Sequence, residues 1–385
     1  MDVFNRSARI IVTCIKRLSP WLEQEIRELG FVPERTFATG VELKGTVSDC
    51  IRLNLNLRTA SQVLYSLSSF PAHNPVDVYK GVKRIAWDHL IRPDGYLSVT
   101  NVVDHPTVNN SMYVNVKVKD AVVDAMREAT GARPDSGPSL NGVVVNLFWR
   151  DDRAEVFLDT SGETLSKHGY RREPGKAPML EGLAAATLLA SQWDPSSPFV
   201  NPMCGSGTVA IEAVLLATNR RPGHYRNDYA FMHLKEFDQT VYDKARREMM
   251  EKVREVPGLR VIATDISAKA VEIAKINARR AGVADSIEFK VCDFSETPVP
   301  DGPGVVYFNP EYGERLGEIA ELEETYGRIG DFMKQKCQGY TGYVFTGNLD
   351  LAKKIGLRAK RRIEFFSAKL DCRLLEYELY AGRKE

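Results

Sequence analysis

The sequence predicts two different halves, an α+β module in the first 160 residues and an α/β domain with a mostly parallel sheet after it. In the first half, short strands and helices alternate. In the second half, helical segments separate the first four of five short apolar runs, which is typical of parallel strands covered on both faces. A chain of 385 residues is long enough for two or three domains.

The elements of the first half are predicted from apolar spacing and from the residues that end helices or form turns. Apolar runs and alternation predict strands at 9–14, 41–43 and 96–103. Helical spacing predicts helices at 20–29, 49–57 and 76–91. Segment 112–126 is predicted as a strand that enters a helix, and segments 143–149 and 155–158 as a hairpin. We expect a linker from Ser161 to Gly175, which is rich in Ser, Gly, Arg and Pro.

The second half is predicted as a seven-stranded sheet. The five apolar runs occupy residues 198–200, 261–263, 287–289, 305–308 and 343–345. Two further strand-like segments, 362–366 and 374–380, have no helix between them. We therefore expect these two segments to form an antiparallel hairpin at the edge of the sheet.

Composition limits the classes of partner. The chain has 52 basic and 51 acidic residues and a net charge of +1, so any surface that attracts nucleic acid must be local. The six cysteines form no C-x-x-C pair and no cluster with histidine, so we expect reduced thiols and no metal site. No leader-like segment and no apolar stretch of about 18 residues occurs, so we expect a cytoplasmic protein without membrane contact.

A glycine turn follows the first strand of the second half. Residues 199–210 read FVNPMCGSGTVA, so Gly205 and Gly207 stand between a strand and a helix, where glycines let the backbone approach a ligand. Alone, this pattern fits a dinucleotide site as well as a nucleoside site, and it also occurs as a purely structural turn. In dinucleotide folds an acid that binds the ribose follows about 20 residues later. Here the next acid at a strand end is Asp265, which is much farther along the chain.

Two acids follow the next two strands. Asp265 ends the run 261–264, and Asp293 follows the run 289–292. A carboxylate at the carboxyl end of a parallel strand can bind a ribose diol, although an Asp there is as often the N-cap of the following helix. Two acids and a glycine loop at one edge of a sheet together favour an adenosine-like ligand.

The fourth strand of the second half leads into Asn309-Pro310-Glu311-Tyr312. The Asn309 side-chain oxygen and the Pro310 carbonyl can accept hydrogen bonds from an exocyclic amine, while Tyr312 stacks on the ring. An isolated segment of this kind is as often a proline turn with a surface tyrosine. Its place after the glycine loop and the two acids favours a site for an amino-bearing base.

With these motifs, the chain resembles the THUMP-domain 23S ribosomal RNA guanine-N2 methyltransferases, members of the class I S-adenosylmethionine-dependent superfamily. The resemblance spans nearly the whole chain, through GVELKG (40–45), VKVKDAVVDAM (116–126), HGYRREPGKAPMLEGLAAA (168–186), NPMCGSGT (201–208), INARRAGV (276–283), NPEYGERLG (309–317) and LDCRLLEYEL (370–379). It implies a ferredoxin-like segment at 1–48, an RNA-binding THUMP domain at 49–160 and a Rossmann-like methyltransferase domain at 161–385. Some members carry a second methyltransferase at the C-terminus, and we expect none in this chain.

The resemblance also implies which residues form the site. Gly205 and Gly207 would lie under the methionine part of S-adenosylmethionine, Asp265 on the ribose hydroxyls and Asp293 near the adenine amine. Asn309, Pro310 and Tyr312 would hold the target base. The other residues expected to contact the cofactor are Asn201, Met203, Cys204, Thr208, Ile266, Phe294 and, again, Asn309.

Two positions depart from the family pattern. Asn201 stands where the family usually has an acid, which would weaken contact with a positively charged cofactor. Glu311 stands where the family usually has a second proline, so the segment is less rigid and carries a negative charge close to a site for RNA. We expect little effect if the Glu311 side chain points to solvent, and reduced activity or an altered substrate if it points inward.

The expected reaction is direct transfer of the sulfonium methyl group to the N2 amine of a guanine flipped out of RNA. Two acceptors on the amine hydrogens would favour a pyramidal nitrogen, and positioning would supply much of the rest. This chemistry needs no metal, no histidine base and no covalent cysteine, and Cys204 is interpreted as a small filler residue.

Other readings of the same residues remain open. Adenine-N6 methylation and tRNA guanine-N2 methylation keep the architecture and change the substrate. A non-catalytic RNA-binding or ribosome-assembly factor is an alternative from a different class, with turnover lost through Glu311. A nicotinamide oxidoreductase is disfavoured by the distance of Asp265 from the glycine loop and by the Asn309–Tyr312 segment.

Basic and aromatic residues cluster at 167–172, 220–226 and 360–362. Such clusters can neutralise phosphates and stack on bases, although a charge run is more often a solvated face. We expect the first two clusters to bind RNA because they flank the glycine motif in sequence. The candidate RNA contacts are Lys167, Tyr170, Arg171, Arg172, Arg221 and Arg226.

Overall fold

The computed structural model describes residues 5–171, 178–312, 316–367 and 370–380, without the side chains of 316–319. These residues form two compact units. The first comprises the chain up to Cys14, Leu22–Leu165 and Pro222–Glu251, and the second comprises Ile15–Trp21, Ser166–Arg221 and the described residues from Lys252 onward. Within the described residues, no helix has both the length and the apolarity needed to cross a membrane.

The described residues up to position 160 supply an eight-stranded sheet and four α-helices. The strands are β1 (Ala8–Cys14), β2 (Pro33–Phe37), β3 (Gly40–Gly45), β4 (Ala60–Pro71), β5 (Tyr96–Asp104), β6 (Asp135–Ser136), β7 (Val143–Arg150) and β8 (Arg153–Asp159). They lie in the order β2-β3-β1-β4-β8-β7-β5-β6. The helices are α1 (Ser19–Glu28), α2 (Val47–Asn56), α3 (Pro75–Lys83) and α4 (Ser111–Thr130). The predicted α+β arrangement of this half is confirmed.

Helix α4 corrects one prediction, because the whole of its sequence is helical and no strand precedes it within 111–130. Val114, Val118 and Val122 recur every fourth residue and are fully buried. These valines therefore form one face of a helix, despite the preference of β-branched residues for strands. The Asn110 side chain caps the helix by accepting a hydrogen bond from the Met112 N–H (2.9 Å).

The predicted linker from Ser161 to Gly175 contains several buried side chains in its described part, although Lys167 is exposed. Ser161, Ser166, His168 and Tyr170 are each at most 4% exposed. The Ser161 hydroxyl accepts a hydrogen bond from the Val63 N–H at 2.8 Å. These four residues are therefore part of the packed structure, whereas composition alone predicts a solvated linker.

The described residues after position 160 supply a seven-stranded sheet and six α-helices. The strands are β9 (Phe199–Pro202), β10 (Val261–Asp265), β11 (Ile287–Val291), β12 (Val305–Phe308), β13 (Thr341–Thr346), β14 (Arg361–Ser367) and β15 (Leu370–Glu378). The helices are α5 (Glu181–Ser191), α6 (Thr208–Ala217), α7 (Gln239–Met250), α8 (Ala268–Arg280), α9 (Leu316–Lys336) and α10 (Leu349–Lys354). Helix α7 belongs to the first unit, and the others belong to the second.

The strand order of the second unit is β11-β10-β9-β12-β13-β15-β14. Strands β9 to β13 pair in parallel, and β15 pairs antiparallel with both β13 and β14. The predicted mostly parallel seven-stranded sheet with an antiparallel hairpin at its edge is confirmed.

Both faces of β12 are covered, which fixes the strand that leads to Asn309. Phe308 makes edge-to-face contacts with Phe294 and Phe332, with ring centroids 6.0 Å away in each case. On the opposite face, the buried Tyr307 hydroxyl donates a hydrogen bond to the Thr187 hydroxyl of α5 at 2.9 Å. A strand buried in this way positions the residues after it rigidly.

The order in which the chain adds strands to the second sheet changes direction between β9 and β12. From β9 it proceeds outward to β10 and β11, and it then returns to β12 on the other side of β9. Ligands of open α/β sheets bind at the carboxyl ends of the strands at such a switch point. The strand order therefore predicts a ligand site at the carboxyl ends of β9 and β12.

Candidate functional site

The carboxyl ends of four neighbouring strands bring the predicted motifs together. Strand β9 lies between β10 and β12, and β11 lies beyond β10. The glycine loop follows β9, Asp265 ends β10, Asp293 comes two residues after β11, and Asn309 follows β12 directly. Because these strands are parallel, all four motifs share one edge of the sheet.

The loop between β9 and α6 has an open backbone. Met203, Gly205 and Gly207 adopt left-handed conformations with φ of 57°, 54° and 80°. A Cβ on Gly205 would meet no heavy atom within 4 Å, whereas a Cβ on Gly207 would lie 2.8 Å from the Ala274 Cβ of α8. Gly205 therefore leaves space for a ligand, and Gly207 allows α6 and α8 to pack closely. No side chain caps the N-terminus of α6, which suits an anionic group of a ligand.

Asp265 is held by the backbone on both of its oxygens. The Gly205 N–H donates to Oδ2 and the Ser267 N–H donates to Oδ1, each at 2.9 Å. The N-cap of α8 is Ser267, whose hydroxyl accepts from the Ala270 N–H, so the capping explanation for Asp265 does not apply. The half-buried carboxylate keeps lone pairs for a diol donor.

The residues that flank the two acids differ in accessibility. Ile266, next to Asp265, is 73% exposed, an unusual position for a large apolar side chain. Phe294, next to Asp293, is only 6% exposed, and the Arg328 guanidinium lies 4.8 Å from its ring centroid. A contact between Phe294 and a ligand would therefore come from its backbone.

Asp293 has partners of its own. Its Oδ1 accepts hydrogen bonds from the Ser295 N–H at 2.9 Å and from Arg328 at 2.7 Å. Burial alone would raise the pKa of Asp293, but the bonds from Arg328 and Ser295 outweigh burial and hold it below its ordinary value. The carboxylate is therefore ionised and oriented, and the bonds from Ser295 and Arg328 all go to its Oδ1.

Asn201 connects the glycine loop to the neighbouring strand. Its Nδ2 donates to the Tyr307 carbonyl at 2.8 Å, across from β9 to β12. Its Oδ1 is buried and has no hydrogen-bond partner among the residues that the structure describes. An acid at this position could not donate to the Tyr307 carbonyl while ionised. Asn201 thus keeps one acceptor for a ligand and adds a cross-strand bond.

The segment after β12 presents an amide and an aromatic ring. The Asn309 side chain is half-buried, and in the described part of the chain no group bonds to its amide. Pro310 is buried and Glu311 is exposed. The Glu311 side chain therefore lies in solvent, the arrangement for which we expect little effect from the missing second proline.

Tyr312 packs over the edge hairpin. Its ring carbons Cδ2 and Cε2 lie 3.4 Å from the position that a Cβ on Gly347 would occupy, and Cys372 Sγ is equally close to that position. Burial raises the pKa of the Tyr312 hydroxyl above its ordinary value, and the neighbouring Cys372 adds to the shift, while Ser367 opposes it. The hydroxyl is therefore neutral at physiological pH, and Ser367 and Cys372 lie beside it.

Cys204 and Thr208 are enclosed by the loop and the helix. Cys204 is 9% exposed, and burial raises the pKa of its thiol, so it is not a thiolate nucleophile. Thr208, the first residue of α6, is 4% exposed and lies beside Ser206, with hydroxyl oxygens 3.3 Å apart. Both side chains support the shape of the loop.

The residues expected to contact RNA differ in burial and in hydrogen-bond partners. Tyr170 is buried and donates to Glu212 Oε1 at 2.8 Å, and Arg171 pairs with Glu181 at 2.7 Å while bonding the Met179 carbonyl at 2.8 Å. These partnerships argue against the predicted direct contacts of Tyr170 and Arg171 with RNA. Composition cannot reveal this, because the buried acids lie 10 to 42 residues away in sequence.

Arg226 is also enclosed. It donates to the carbonyls of Thr164 and Glu163 at 2.8 and 2.9 Å and is 8% exposed. Direct contact between Arg226 and RNA is therefore disfavoured as well. Lys167 is exposed and Arg221 is half-buried, whereas Arg172 lies outside the described residues.

Two residues at the site have no sequence signal. Arg328, in the middle of α9, reaches Asp293, and Gly347, after β13, lies under the Tyr312 ring. Neither belongs to a motif, because their roles depend on contacts between distant segments. The contact between Arg328 and Asp293, which are 35 residues apart, depends on how the strands and α9 pack.

Three family models match successive parts of the chain. Models described as "RlmL ferredoxin-like domain", "THUMP domain" and "RMKL-like, methyltransferase domain" match residues 9–64, 72–159 and 168–376. The crystal structure of SMU.472 complexed with SAH superposes with a TM-score of 0.89, at 26% identity, over 98% of this chain and 100% of that one.

Two curated proteins are similar in sequence. One is "Ribosomal RNA large subunit methyltransferase K/L" of Syntrophotalea carbinolica, 34% identical over 97% of this chain and 54% of that protein. The other is "Putative RNA methyltransferase slr0064" of Synechocystis sp., 32% identical over 96% of each chain. The chain thus spans about half the length of the first relative and nearly all of the second.

Proposed function

Because the chain belongs to the RMKL-like methyltransferase family, with RlmL ferredoxin-like and THUMP domains, we propose that it methylates the exocyclic N2 amine of a guanine in 23S ribosomal RNA. The methyl donor is S-adenosylmethionine. The observation that carries this proposal is the Asn309 amide, which has no bond within the described chain and follows the strand next to the glycine loop.

The residues at this edge fit the cofactor. Gly205 leaves open space, and the uncapped N-terminus of α6 would bind a carboxylate. The buried Asn201 Oδ1 would accept a hydrogen bond from an ammonium group, and Asp265 would accept from ribose hydroxyls. The exposed Ile266 would cover an apolar ring face. When bound, the cofactor supplies a methyl group on a positively charged sulfur.

The target base would be held by the segment after β12. The Asn309 Oδ1 and the Pro310 carbonyl would accept both hydrogens of the amine, which favours a pyramidal nitrogen with a directed lone pair. The Tyr312 ring, neutral and packed over Gly347, would stack on the base. No described residue in this segment needs to act as a general base in the transfer step.

We propose a division of the chain into a ferredoxin-like segment at 1–48, a THUMP domain at 49–160 and a methyltransferase domain at 161–385.

The RNA is proposed to contact both halves of the chain. The matched THUMP domain and the RNA substrates in the names of both curated relatives support an RNA partner. Lys167 and Arg221 remain candidate phosphate contacts, because neither side chain is buried.

The test is transfer of labelled methyl groups from S-adenosylmethionine to unmodified 23S rRNA, with tRNA as the competing substrate. We expect Asn309→Ala to lower kcat by about 100-fold, the usual effect of losing one transition-state hydrogen bond. Asn227→Ala, at an exposed asparagine outside the site, serves as the matched control and should retain activity. Normal turnover by Asn309→Ala, or preferential methylation of tRNA, would contradict the proposal.

A further inference from the structure

The segment Ile15–Trp21 belongs to the second unit, although the rest of the described chain up to Leu165 belongs to the first. It contacts the hairpin of β14 and β15, the same hairpin that lies beside Tyr312. We infer that this segment positions the hairpin, and through it Tyr312, for the target base. The inference rests on the proposed function and names Arg17 as its positioning residue.

The contacts between the segment and β14 involve three consecutive residues of the strand. The Arg17 guanidinium pairs with Glu364 at 3.4 Å. The Trp21 ring stacks on Phe365, with centroids 4.8 Å apart and planes inclined by 14°. The Lys16 ammonium lies 5.5 Å from the centroid of the Phe366 ring. Three side chains of the segment thus contact three adjacent residues of β14.

Charges on both strands of the hairpin converge on Arg17. Its guanidinium also pairs with Asp371 of β15, and Arg373 pairs with both Asp371 and Glu364. Two arginines and two acids therefore alternate across the hairpin. A network of this kind fixes geometry better than a single exposed ion pair, because each side chain has two partners.

The backbone at Arg17 is itself unusual. Its φ is 74°, in the left-handed region that side-chain-bearing residues rarely adopt. Strain of this kind persists only when the surrounding contacts determine the conformation. The ion pairs of Arg17 and the stacking of Trp21 supply such contacts on either side of the strained residue.

The hairpin connects the 15–21 segment to Tyr312, which is proposed to hold the target base. Ser367, at the end of β14, and Cys372, opposite Phe365 on β15, are the side chains beside the Tyr312 hydroxyl. Each is next in sequence to a residue that contacts the 15–21 segment, Phe366 or Asp371. A shift of the hairpin would therefore shift Tyr312, and displacements of about 1 Å at a catalytic site cost up to 100-fold in rate.

The first experiment compares Arg17→Ala with Arg279→Ala in the full chain. Arg279 is an exposed arginine in an ion pair with Glu272, remote from the hairpin in sequence, so it controls for loss of a surface charge. We expect Arg17→Ala to lower kcat on 23S rRNA about tenfold while leaving the affinity for S-adenosylhomocysteine unchanged. If Arg17→Ala behaves like Arg279→Ala, Arg17 has no positioning role.

A double-mutant cycle with Tyr312→Phe separates positioning from simple structural support. The phenylalanine lacks the hydroxyl that lies beside Ser367 and Cys372, so the hairpin no longer acts through it. We expect the effect of Arg17→Ala to fall from about tenfold to about twofold in this background. An equal effect in both backgrounds would mean that Arg17 does not act through Tyr312.

A labelling experiment judges the inference without relying on methyl transfer. Cys372 and Cys337 are both fully buried, but only Cys372 lies in the hairpin. With site-resolved alkylation of the free protein, Arg17→Ala should speed modification of Cys372 about tenfold and leave Cys337 unchanged. Equal rates for Cys372 with and without Arg17 would overturn the inference, whereas absent methyl transfer by the parent protein would overturn only the proposed function.

If Arg17→Ala fails to fold, Glu364→Gln with Asp371→Asn removes the same ion pairs from the hairpin side. The amides are nearly isosteric with the acids, so packing is preserved. We expect the same faster modification of Cys372. Unchanged modification in this double variant would contradict a role for the charge network.

Discussion

Gly205 and Gly207 have similar left-handed backbones and different surroundings, so alanine should affect them in different ways. An alanine at either position adopts a positive φ, which costs about 1 kcal/mol in the free energy of unfolding. At Gly205 the added Cβ meets no heavy atom within 4 Å, so no further cost is expected. At Gly207 it would lie 2.8 Å from the Ala274 Cβ, and separating α6 from α8 should cost roughly 1–3 kcal/mol more.

Gly205→Ala should change the affinity for the cofactor more than it changes the free energy of unfolding. The added methyl group would occupy the open side of the loop, where we propose that the methionine part of the cofactor lies. We expect the Kd for S-adenosylhomocysteine to rise at least tenfold, or about 1.4 kcal/mol. Calorimetric titration gives the Kd, and denaturant unfolding gives the stability.

Gly258 offers the matched control. Its φ is 77°, and a Cβ there would also meet nothing within 4 Å, but it lies before β10 and away from the strand ends that form the site. Gly258→Ala should therefore lose the same stability and keep normal binding. If Gly205→Ala binds the cofactor as well as Gly258→Ala does, the open side of the loop is not the cofactor site.

Three further predictions address other groups. Asp265→Asn keeps only one of the two oxygens that accept backbone N–H groups, so the Kd for the cofactor should rise about tenfold by calorimetry; an unchanged Kd would exclude the ribose role. Cys204→Ala should keep kcat within about twofold, because the buried neutral thiol takes no covalent part; loss of all turnover in a folded variant would refute this. Burial raises the pKa of Asp159 in the first unit to about 7, against the bonds from Ser161, Gly162 and Gln62. The folded state therefore binds its proton more tightly than the unfolded state, and this stabilisation is present at low pH and is lost as pH rises through about 7. The stability difference between the parent and Asp159→Asn, measured by denaturant unfolding from pH 5 to pH 8, should follow that trend, and a pH-independent difference would contradict it.

Local pattern was sufficient to predict the second sheet and its edge. Strands β10 and β12 are continuous apolar runs, and Asp265 and Asn309 stand at their ends, so sequence alone places both at the carboxyl edge. The order of the strands, and hence which motifs are neighbours, was not predicted and is known only from the structure. The family resemblance is confirmed by the three matching domain models.

Local pattern was insufficient where long-range contacts decide the structure. Strand β2 has mostly exposed residues and no apolar alternation, so nothing in PERTF predicts a strand, and its pairing with β3 forms it. Tyr170 and Arg171 look like an RNA-binding cluster, yet buried acids on α5 and α6 bind them. The contacts of the 15–21 segment could not be predicted either, because its partners lie about 350 residues later in the sequence.

The identity of the methylated nucleoside tests the proposed guanine-N2 methylation directly. The parent protein is incubated with S-adenosylmethionine and unmodified 23S rRNA, and the RNA is digested and analysed by mass spectrometry. We expect N2-methylguanosine, with the product lost in Asn309→Ala. N6-methyladenosine as the product, or no product from a protein that binds the cofactor, would contradict the proposal.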